Sequence, residues 1–354
     1  MEKIKIGVIF GGISTEHEVS IVSGTSIIRN LNKEKYEIYP IYINLQGEWF
    51  EYTYHNEEFK VGDEIIGTNK IENIIEYLKK LDIVFPVLHG LYGEDGTIQG
   101  MLELIKIPYV GAKVLSSSIC MDKAYSKIIF DKANIPQAEY IYLRKYMDKY
   151  IYIEKDFSEE ILTIDEIVRR TLMKIKFPMF VKPSNSGSSV GISRVENEKE
   201  LIKAIKYAGK FDNKILIEES LKGREIECAV LGNEDIETSC LGEIISGNEF
   251  YSFNAKYQNE KSKTIMPADL PEELSNKVRN IAKKAYKATD CKGLARVDFF
   301  VDDKNNKIYI NEINTIPGFT QISMYPKLWE QMGINYSELL DKLIELASIK
   351  QPTK

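Results

Sequence analysis

Short apolar runs, each followed by glycines and then by a helical pattern, dominate the first 120 residues. Residues 4–10 and 81–88 are mostly apolar, as expected of strands buried on both faces of a sheet. Val19, Val22 and Ile27 belong to the helical pattern that follows the first run. Strand, glycine-rich turn and helix in this order predict an α/β fold that binds its ligand at the carboxyl ends of the strands.

Strands and amphipathic helices continue to alternate along the rest of the chain. The tyrosine-rich and charge-rich residues 140–165 predict a surface insertion. Residues 247–268 predict an irregular lid, because loops of this length in a compact domain are usually functional or disordered, and their aromatic content argues against disorder. We expect an α/β fold with α+β parts, divided into an N-terminal parallel-sheet domain (residues 1–120), a central domain (121–213) and a C-terminal domain (214–354).

Composition and charge narrow the classes of function. The 354 residues include 47 basic and 53 acidic side chains, a net charge of −6, which gives no basic surface for nucleic acid. We find no apolar run near the roughly 20 residues of a membrane span and no signal-peptide layout at the N-terminus. The four cysteines show no CxxC spacing, so we expect reduced thiols in a cytoplasmic protein without a membrane partner.

A predicted hairpin near the C-terminus concentrates polar side chains on one face. If the hairpin pivots on Asn305, Asp298 faces Glu312 and Arg296 faces Asn314. Two carboxylates directly opposite, about 5 Å apart at Cβ, destabilise a sheet unless a cation offsets their charge. Two carboxylates and an amide oxygen suit Mg²⁺ or Mn²⁺. The alternative is a solvated hairpin face with a chance cluster of charges.

Three further positions allow either a structural or a chemical interpretation. Lys182 ends a predicted strand and precedes the Ser/Gly-rich residues 183–191, which could grip a triphosphate or form an ordinary turn. His89 follows a buried strand and precedes glycines, so it either lies near a ligand or binds the backbone of its own turn. Glu16 either caps the first helix or meets the ammonium group of a ligand.

Taken together, these segments resemble the D-alanine–D-alanine ligase family of ATP-grasp enzymes. The motifs occur in the family's order over nearly the whole chain: GG-x-STEHEVS at 11–20, HG-x2-GEDG at 89–96, MDK at 121–123, VKP and GSSVG within 181–191, AKY at 255–257, RVD at 296–298 and NEINT-x-PG at 311–318. One such motif alone has low specificity, but seven in register are specific. The resemblance implies a substrate domain before a two-domain ATP-grasp fold, which carries the metal site and the lid in its second half.

The resemblance also implies a role for each matching residue. Catalytic positions would be Glu16, Ser188, Tyr257, Arg296, Gly318 and Ser323. His89, Lys256 and Met324 would contact the substrates. ATP would meet Lys123, Lys182, Glu218, Glu219, Leu221 and Glu225. Two Mg²⁺ or Mn²⁺ ions would bind Asp298, Glu312 and Asn314.

The implied activity joins two molecules of D-alanine through a D-alanyl phosphate, at the expense of ATP, for peptidoglycan synthesis. The family also suggests a homodimer. The chain departs from the family pattern around Ser323, where residues 320–324 read TQISM. This departure leaves D-alanine–D-serine ligation open as an alternative, with D-lactate the weaker candidate. A nucleotide-binding regulator without turnover is an alternative from another class.

Overall fold

The computed structural model describes residues 2–245 and 263–349 and contains three β-sheets. The first sheet has the order β4-β3-β2-β1-β5. Its strands are β1 Ile4–Gly11, β2 Tyr36–Ile43, β3 Trp49–Glu51, β4 Asn69–Lys70 and β5 Ile83–Pro86. Strand β1 pairs in parallel with both β2 and β5, which confirms the α/β interpretation of the N-terminal apolar runs. The helices of this part are α1 His17–Asn30, α2 Ile74–Leu78, α3 Thr97–Leu104 and α4 Val114–Met121.

The second sheet is antiparallel and has the order β10-β9-β11-β6-β7-β8. Its strands are β6 Tyr140–Tyr146, β7 Lys149–Ile153, β8 Glu159–Leu162, β9 Met179–Pro183, β10 Ser193–Val195 and β11 Lys214–Glu219, and its helices are α5 Lys123–Lys132, α6 Ile164–Lys174 and α7 Glu198–Ala208. The prediction of a surface insertion over 140–165 is wrong, because these residues supply β6, β7 and β8. Leu143 and Tyr152 are buried there beneath the exposed charges.

The third sheet, also antiparallel, has the order β14-β13-β12-β15-β16. Its strands are β12 Arg224–Leu231, β13 Glu237–Ile245, β14 Lys263–Ile265, β15 Leu294–Asp302 and β16 Lys307–Asn314, and its helices are α8 Glu272–Ala288, α9 Met324–Gln331 and α10 Tyr336–Ser348. Strand β11 pairs with β6 and β9, so a division at 213/214 separates it from its sheet. The domain boundaries otherwise stay a prediction.

The predicted lid over 247–268 is described only at its end. Residues 247–262 lie outside the described part of the chain. Residues 263–265 form strand β14, which pairs with β13 at the edge of the third sheet. The prediction of irregular structure is therefore wrong for these three residues, because they complete an edge ladder with the preceding strand.

The hairpin of β15 and β16 has the predicted register at the candidate metal ligands. Arg296 pairs with Asn314 and Asp298 pairs with Glu312. Nearer the turn the register shifts by one residue, and Phe299 pairs with Ile310. The pivot on Asn305 is therefore wrong for the turn, and a β-bulge restores the predicted pairing beyond it.

One hydrophobic core joins the two ends of the chain. Phe10 of the first sheet belongs to the same buried cluster as Phe319, Trp329 and Leu343 from the C-terminal segment. This packing holds the loop after β16 against the first sheet. No helix within residues 2–245 and 263–349 is long and apolar enough to cross a membrane.

Candidate active site

A cavity of about 1060 Å³ is lined by residues from all three sheets and their connecting loops. Glu16 and His89 line it from the first part of the chain, Lys182 from the second sheet, and Asp298 and Glu312 from the third. Cavities of roughly 300–1,000 Å³ hold drug-sized ligands. The cavity therefore has room for a nucleotide together with small substrates.

Glu16 meets the Ser/Gly loop of the second sheet. It occupies the N-cap position of α1, but its side chain makes no capping bond. Ser188 Oγ donates instead to Glu16 Oε1 at 2.5 Å. A Cβ at Gly90 would lie 2.6 Å from Glu16 Oε2, and one at Gly187 would lie 2.9 Å from it. Glycine at both positions therefore makes room for this carboxylate, which favours the chemical interpretation of Glu16.

His89 is buried and has a protein partner at each ring nitrogen. Nδ1 lies 3.0 Å from the Ile316 carbonyl oxygen, which can only accept, so Nδ1 carries a proton. Burial lowers the pKa of His89, which favours the neutral ring. Nε2 then accepts from Ser23 Oγ at 3.0 Å, and Ser23 Oγ in turn accepts from the Phe319 N–H at 3.3 Å. This chain of bonds fixes the loop after β16.

Glu94 makes a second connection to the same loop. Its Oε2 accepts from the Gly90 N–H at 2.8 Å, and its Oε1 accepts from the Ile316 N–H at 3.0 Å. Burial and the nearby Glu16 charge raise the pKa of Glu94 to about 8, against the effect of the two N–H bonds. The carboxyl group thus ties the turn that carries His89 to the loop that carries Gly318.

Two lysines share one buried carboxylate in the second sheet. Glu218 Oε2 lies 2.7 Å from Lys182 Nζ, and Glu218 Oε1 lies 3.4 Å from Lys127 Nζ. Burial by itself raises the pKa of Glu218, but the charges of Lys127 and Lys182 outweigh it and lower the pKa to about 2. Glu218 is therefore ionised and orients Lys182 within the cavity.

The remaining nucleotide candidates line the same cavity. Lys123 Nζ donates to the Ser186 carbonyl oxygen at 2.7 Å and lies 3.7 Å from Glu312 Oε2. The Glu219 carboxylate accepts from the Glu139 N–H at 2.9 Å. The predicted nucleotide contacts that line the cavity are Lys123, Lys182, Glu218, Glu219, Leu221 and Glu225.

The predicted metal ligands lie together on the third sheet. Asp298 faces Glu312 across β15 and β16, and the Asn314 side-chain amide donates to Asp298 Oδ2 at 2.8 Å. Arg296 Nε donates to Asp298 Oδ1 at 2.8 Å. Within the described ranges, no three His, Cys, Asp or Glu side chains form a metal-binding group by themselves. The all-oxygen set suits Mg²⁺, which commonly binds one or two carboxylates together with substrate phosphates.

Gly318, Ser323 and Met324 form one wall of the cavity. A Cβ at Gly318 would lie 2.8 Å from Ser323 Oγ, so glycine allows this close approach. Ser323 Oγ accepts from the Thr320 N–H at 3.0 Å. Met324 is buried, and its sulfur would lie 2.6 Å from a Cβ at Gly242. The wall is therefore tightly packed and has an apolar thioether at its base.

Two family models match the chain in succession. The model described as D-ala D-ala ligase N-terminus matches residues 5–112, and the model described as D-ala D-ala ligase C-terminus matches residues 129–345. The chain belongs to the D-alanine–D-alanine ligase family. A D-alanine–D-alanine ligase of Acetivibrio thermocellus is 50% identical over 98% of this chain and 96% of its own length.

Solved ligase structures resemble the whole chain. The D-Ala:D-Ser ligase VanG of Enterococcus faecalis is 35% identical and superposes with a TM-score of 0.83, covering 98% of this chain and 100% of the other. A D-alanine–D-alanine ligase of Bacillus anthracis, solved in complex with ATP, is 35% identical with a TM-score of 0.74, covering 97% of each chain. These similarities confirm the ATP-grasp ligase fold implied by the sequence motifs.

The ligase structure adds residues that the sequence did not suggest. Lys127 follows Lys123 by four positions on α5, a spacing that puts both on one helix face. Glu227 follows Glu225 by two positions on β12, which puts both on one face of the strand. Both periodicities were available in the sequence as signals. Lys256 and Tyr257, the two predicted site residues not placed, lie outside the described residues.

Proposed function

We propose that the chain ligates two molecules of D-alanine at the expense of ATP. The carboxylate of the first D-alanine attacks the γ-phosphorus of ATP, and ADP leaves. The amine of the second D-alanine then attacks the carbonyl carbon of the D-alanyl phosphate, loses a proton and displaces phosphate. The observation that carries the proposal is the contact of Glu16 with Ser188 in the same cavity as Asp298 and Glu312.

The first substrate's ammonium group would meet the Glu16 carboxylate. Ser188 Oγ holds one oxygen of that carboxylate, and Gly90 and Gly187 leave space beside the other. Tyr257 would complete this set, as the family resemblance implies. His89 would stand near the substrate's carboxylate as a neutral ring that fixes the loop.

The phosphate groups of ATP would meet Lys123 and Lys182. Lys182 is oriented by Glu218, and Lys123 lies between the Ser186 carbonyl oxygen and Glu312. Glu219, Leu221 and Glu225 would contact the nucleoside. Holding reactants in the right geometry supplies much of the catalysis of phosphoryl transfer.

Asp298, Glu312 and Asn314 would hold two Mg²⁺ or Mn²⁺ ions, since hard divalent cations prefer such oxygen ligands. A bound ion would offset charge that develops on the transferred phosphoryl group. Arg296 and the Gly318 N–H would stabilise the oxyanion formed on the attacked carbonyl. Acyl phosphates hydrolyse readily, so water must be excluded, and we keep the lid prediction for those residues of 247–268 that lie outside the described part of the chain.

Lys256, Ser323 and the Met324 backbone would take the carboxylate of the second substrate. The apolar Met324 side chain favours D-alanine, because it leaves a serine hydroxyl without a partner. The similarity to the D-Ala:D-Ser ligase VanG supports D-serine as a second candidate substrate. We further propose a cytoplasmic homodimer, which rests on the family resemblance.

The decisive experiment incubates the purified chain with ATP, Mg²⁺ and D-alanine. We expect phosphate release that depends on D-alanine and a product with the mass of the dipeptide. Nucleotide binding without turnover would instead assign the chain to the regulatory class. An excess of D-Ala–D-Ser, with both amino acids equimolar, would make D-serine the preferred second substrate.

A further inference from the structure

Glu227 adds a third carboxylate to the row that contains the metal candidates. It lies on β12 directly opposite Asp298 of β15, which in turn faces Glu312 of β16. The three carboxylates therefore stand side by side on three neighbouring strands, and all of them line the cavity. Glu227 is only 6% exposed. A buried acid in this position requires a compensating charge, because like charges directly opposite destabilise a sheet.

Arg296 supplies the compensating positive charge and contacts two of the three carboxylates, those of Glu227 and Asp298. Its Nε lies 3.1 Å from Glu227 Oε2 and 2.8 Å from Asp298 Oδ1. A terminal guanidinium nitrogen also donates to Asp298 Oδ2 at 2.8 Å. The three side chains are 8–14% exposed, so water screens these contacts little. The Arg296 guanidinium therefore contacts both Asp298 and Glu227, and Glu227 lies on β12, on the side of β15 opposite the strand that carries Glu312.

The contacts of Arg296 with Asp298 affect how Asp298 can bind a divalent cation. Both of its oxygens accept bonds from Arg296, and a divalent cation must compete with the guanidinium for them. If Arg296 lost its contact with Asp298 and had no other carboxylate nearby, its buried charge would be uncompensated, which costs free energy. Glu227 offers a second carboxylate within 3.1 Å, on the side of Asp298 opposite Glu312.

We propose that Glu227 is a positioning residue that retains Arg296 when Asp298 turns its carboxylate toward the divalent cation. The inference rests on the proposed function, since it assigns Asp298 to the metal. Arg296 then remains beside the reacting groups, held from the β12 side, while Glu312 and Asn314 complete the cation's protein ligands from the β16 side.

The test measures cation affinity rather than turnover. Mn²⁺ binding to the full chain with ADP present is followed by electron paramagnetic resonance for the natural chain and for Glu227→Gln. Loss of an outer partner of a metal ligand typically weakens metal affinity 10–100-fold. We expect a rise in the Mn²⁺ dissociation constant of about that size, and partial recovery in Glu227→Asp, which keeps the charge.

Glu243→Gln is the matched control. Glu243 is a buried acid on the neighbouring strand β13 and accepts from two nitrogens of Arg224 at 2.7 and 2.6 Å. This variant also removes a carboxylate from an Arg–Glu pair of the third sheet. We expect it to lose stability in urea while its Mn²⁺ affinity stays within about twofold.

Two results overturn the proposal. One is a folded Glu227→Gln variant with unchanged Mn²⁺ affinity, which would make the ion pair structural only. The other covers the case in which Glu227→Gln does not fold: a folded Glu227→Met variant, which removes the charge and keeps the length of the side chain, with the Mn²⁺ affinity of the natural chain. A chain that binds Mn²⁺ as expected but makes no dipeptide would refute the proposed function and leave the role of Glu227 standing.

Discussion

Lys127 and Glu218 face each other at 3.4 Å with both side chains almost fully buried, 4% and 6% exposed. Lys182 contacts the other oxygen of the same carboxylate. Breaking a buried ion pair from one side typically costs about 3–5 kcal/mol when a charge is left buried without compensation, and the cost is smaller here because Lys182 still pairs with Glu218. The arrangement therefore makes Lys127, which was not among the predicted nucleotide contacts, important for the shape of the nucleotide site.

Lys127→Met tests this consequence. We expect the free energy of unfolding in urea to fall by about 1.5–3 kcal/mol and the KM for ATP to rise, since the Glu218 carboxylate loses the contact that fixes one of its oxygens beside Lys182. Lys155→Met is the control: Lys155 lies over the same Tyr140 ring, at 5.7 Å against 5.3 Å for Lys127, but is 59% exposed. Equal stability losses in the two variants would contradict the importance of the buried pair.

The lowered pKa of Glu218 predicts a loss of stability in acid. Its pKa falls from an ordinary 4.5 to about 2 in the folded chain, so the unfolded chain binds the proton more readily. The stabilisation is present above pH 4.5 and is lost as the pH falls toward 2, by about 3 kcal/mol at most. Urea unfolding between pH 6 and pH 3 should show a smaller loss for Glu218→Gln than for the natural chain. Parallel curves would contradict the assignment.

Gly187→Ala tests the space beside Glu16. The added methyl group would lie 2.9 Å from Glu16 Oε2 and displace the carboxylate. A hydrogen bond to a charged group contributes about 1.5–3 kcal/mol, so the KM for the first D-alanine should rise about tenfold or more, with the KM for ATP little changed. Gly100→Ala is the control, because no atom lies within 4 Å of its added methyl group. Unchanged substrate kinetics in Gly187→Ala would rule out this role for Glu16.

Glu312→Gln tests the metal assignment. The exchange is nearly isosteric and relieves repulsion with Asp298, so the fold should persist, as circular dichroism can verify. Turnover at saturating Mg²⁺ should fall about 100-fold or more, because groups that offset transition-state charge contribute several kcal/mol. Asp302→Asn, at the end of β15 next to the turn of the same hairpin, should retain activity. Near-normal turnover of Glu312→Gln would remove Glu312 from the metal site.

Met324→Arg tests what selects the second substrate. A guanidinium at this wall can bind a serine hydroxyl, and a hydrogen bond to a charged group favours D-Ala–D-Ser by about tenfold or more. Mass spectrometry of products from equimolar D-alanine and D-serine measures the ratio. Met332→Arg makes the same exchange at the half-exposed end of α9 and should leave the ratio unchanged. A constant ratio in Met324→Arg would place the selection elsewhere.

The sequence was most informative where polar residues recur with a strict period. The pairing of Asp298 with Glu312 followed from alternation along two strands and is confirmed. The register nearer the turn was wrong, because a β-bulge adds one residue to β16 and leaves no mark in a period-two pattern. The insertion predicted over 140–165 was wrong because abundant charges and tyrosines masked the consecutive buried residues 140–143 of β6 and 152–153 of β7.

Other parts of the site depend on contacts that no local pattern encodes. Glu94 reaches the Ile316 N–H across 222 positions, and His89 reaches the Ile316 carbonyl oxygen across 227. Motif matching identified His89 as a candidate and gave Glu94 no role, and only the folded chain shows that both fix the loop after β16. The partnership of Glu227 with Arg296 likewise depends on which strands are neighbours in the third sheet.

The core that joins the two ends of the chain also constrains its synthesis. Val8 and Phe10 of the first sheet are buried in the same cluster as Leu339, Leu340 and Leu343 of α10. A ribosome makes the strand more than 300 residues before the helix that covers it. Until α10 is synthesised, the apolar residues of the first sheet that it covers stay exposed, so we expect the nascent chain to bind chaperones and products truncated before α10 to aggregate.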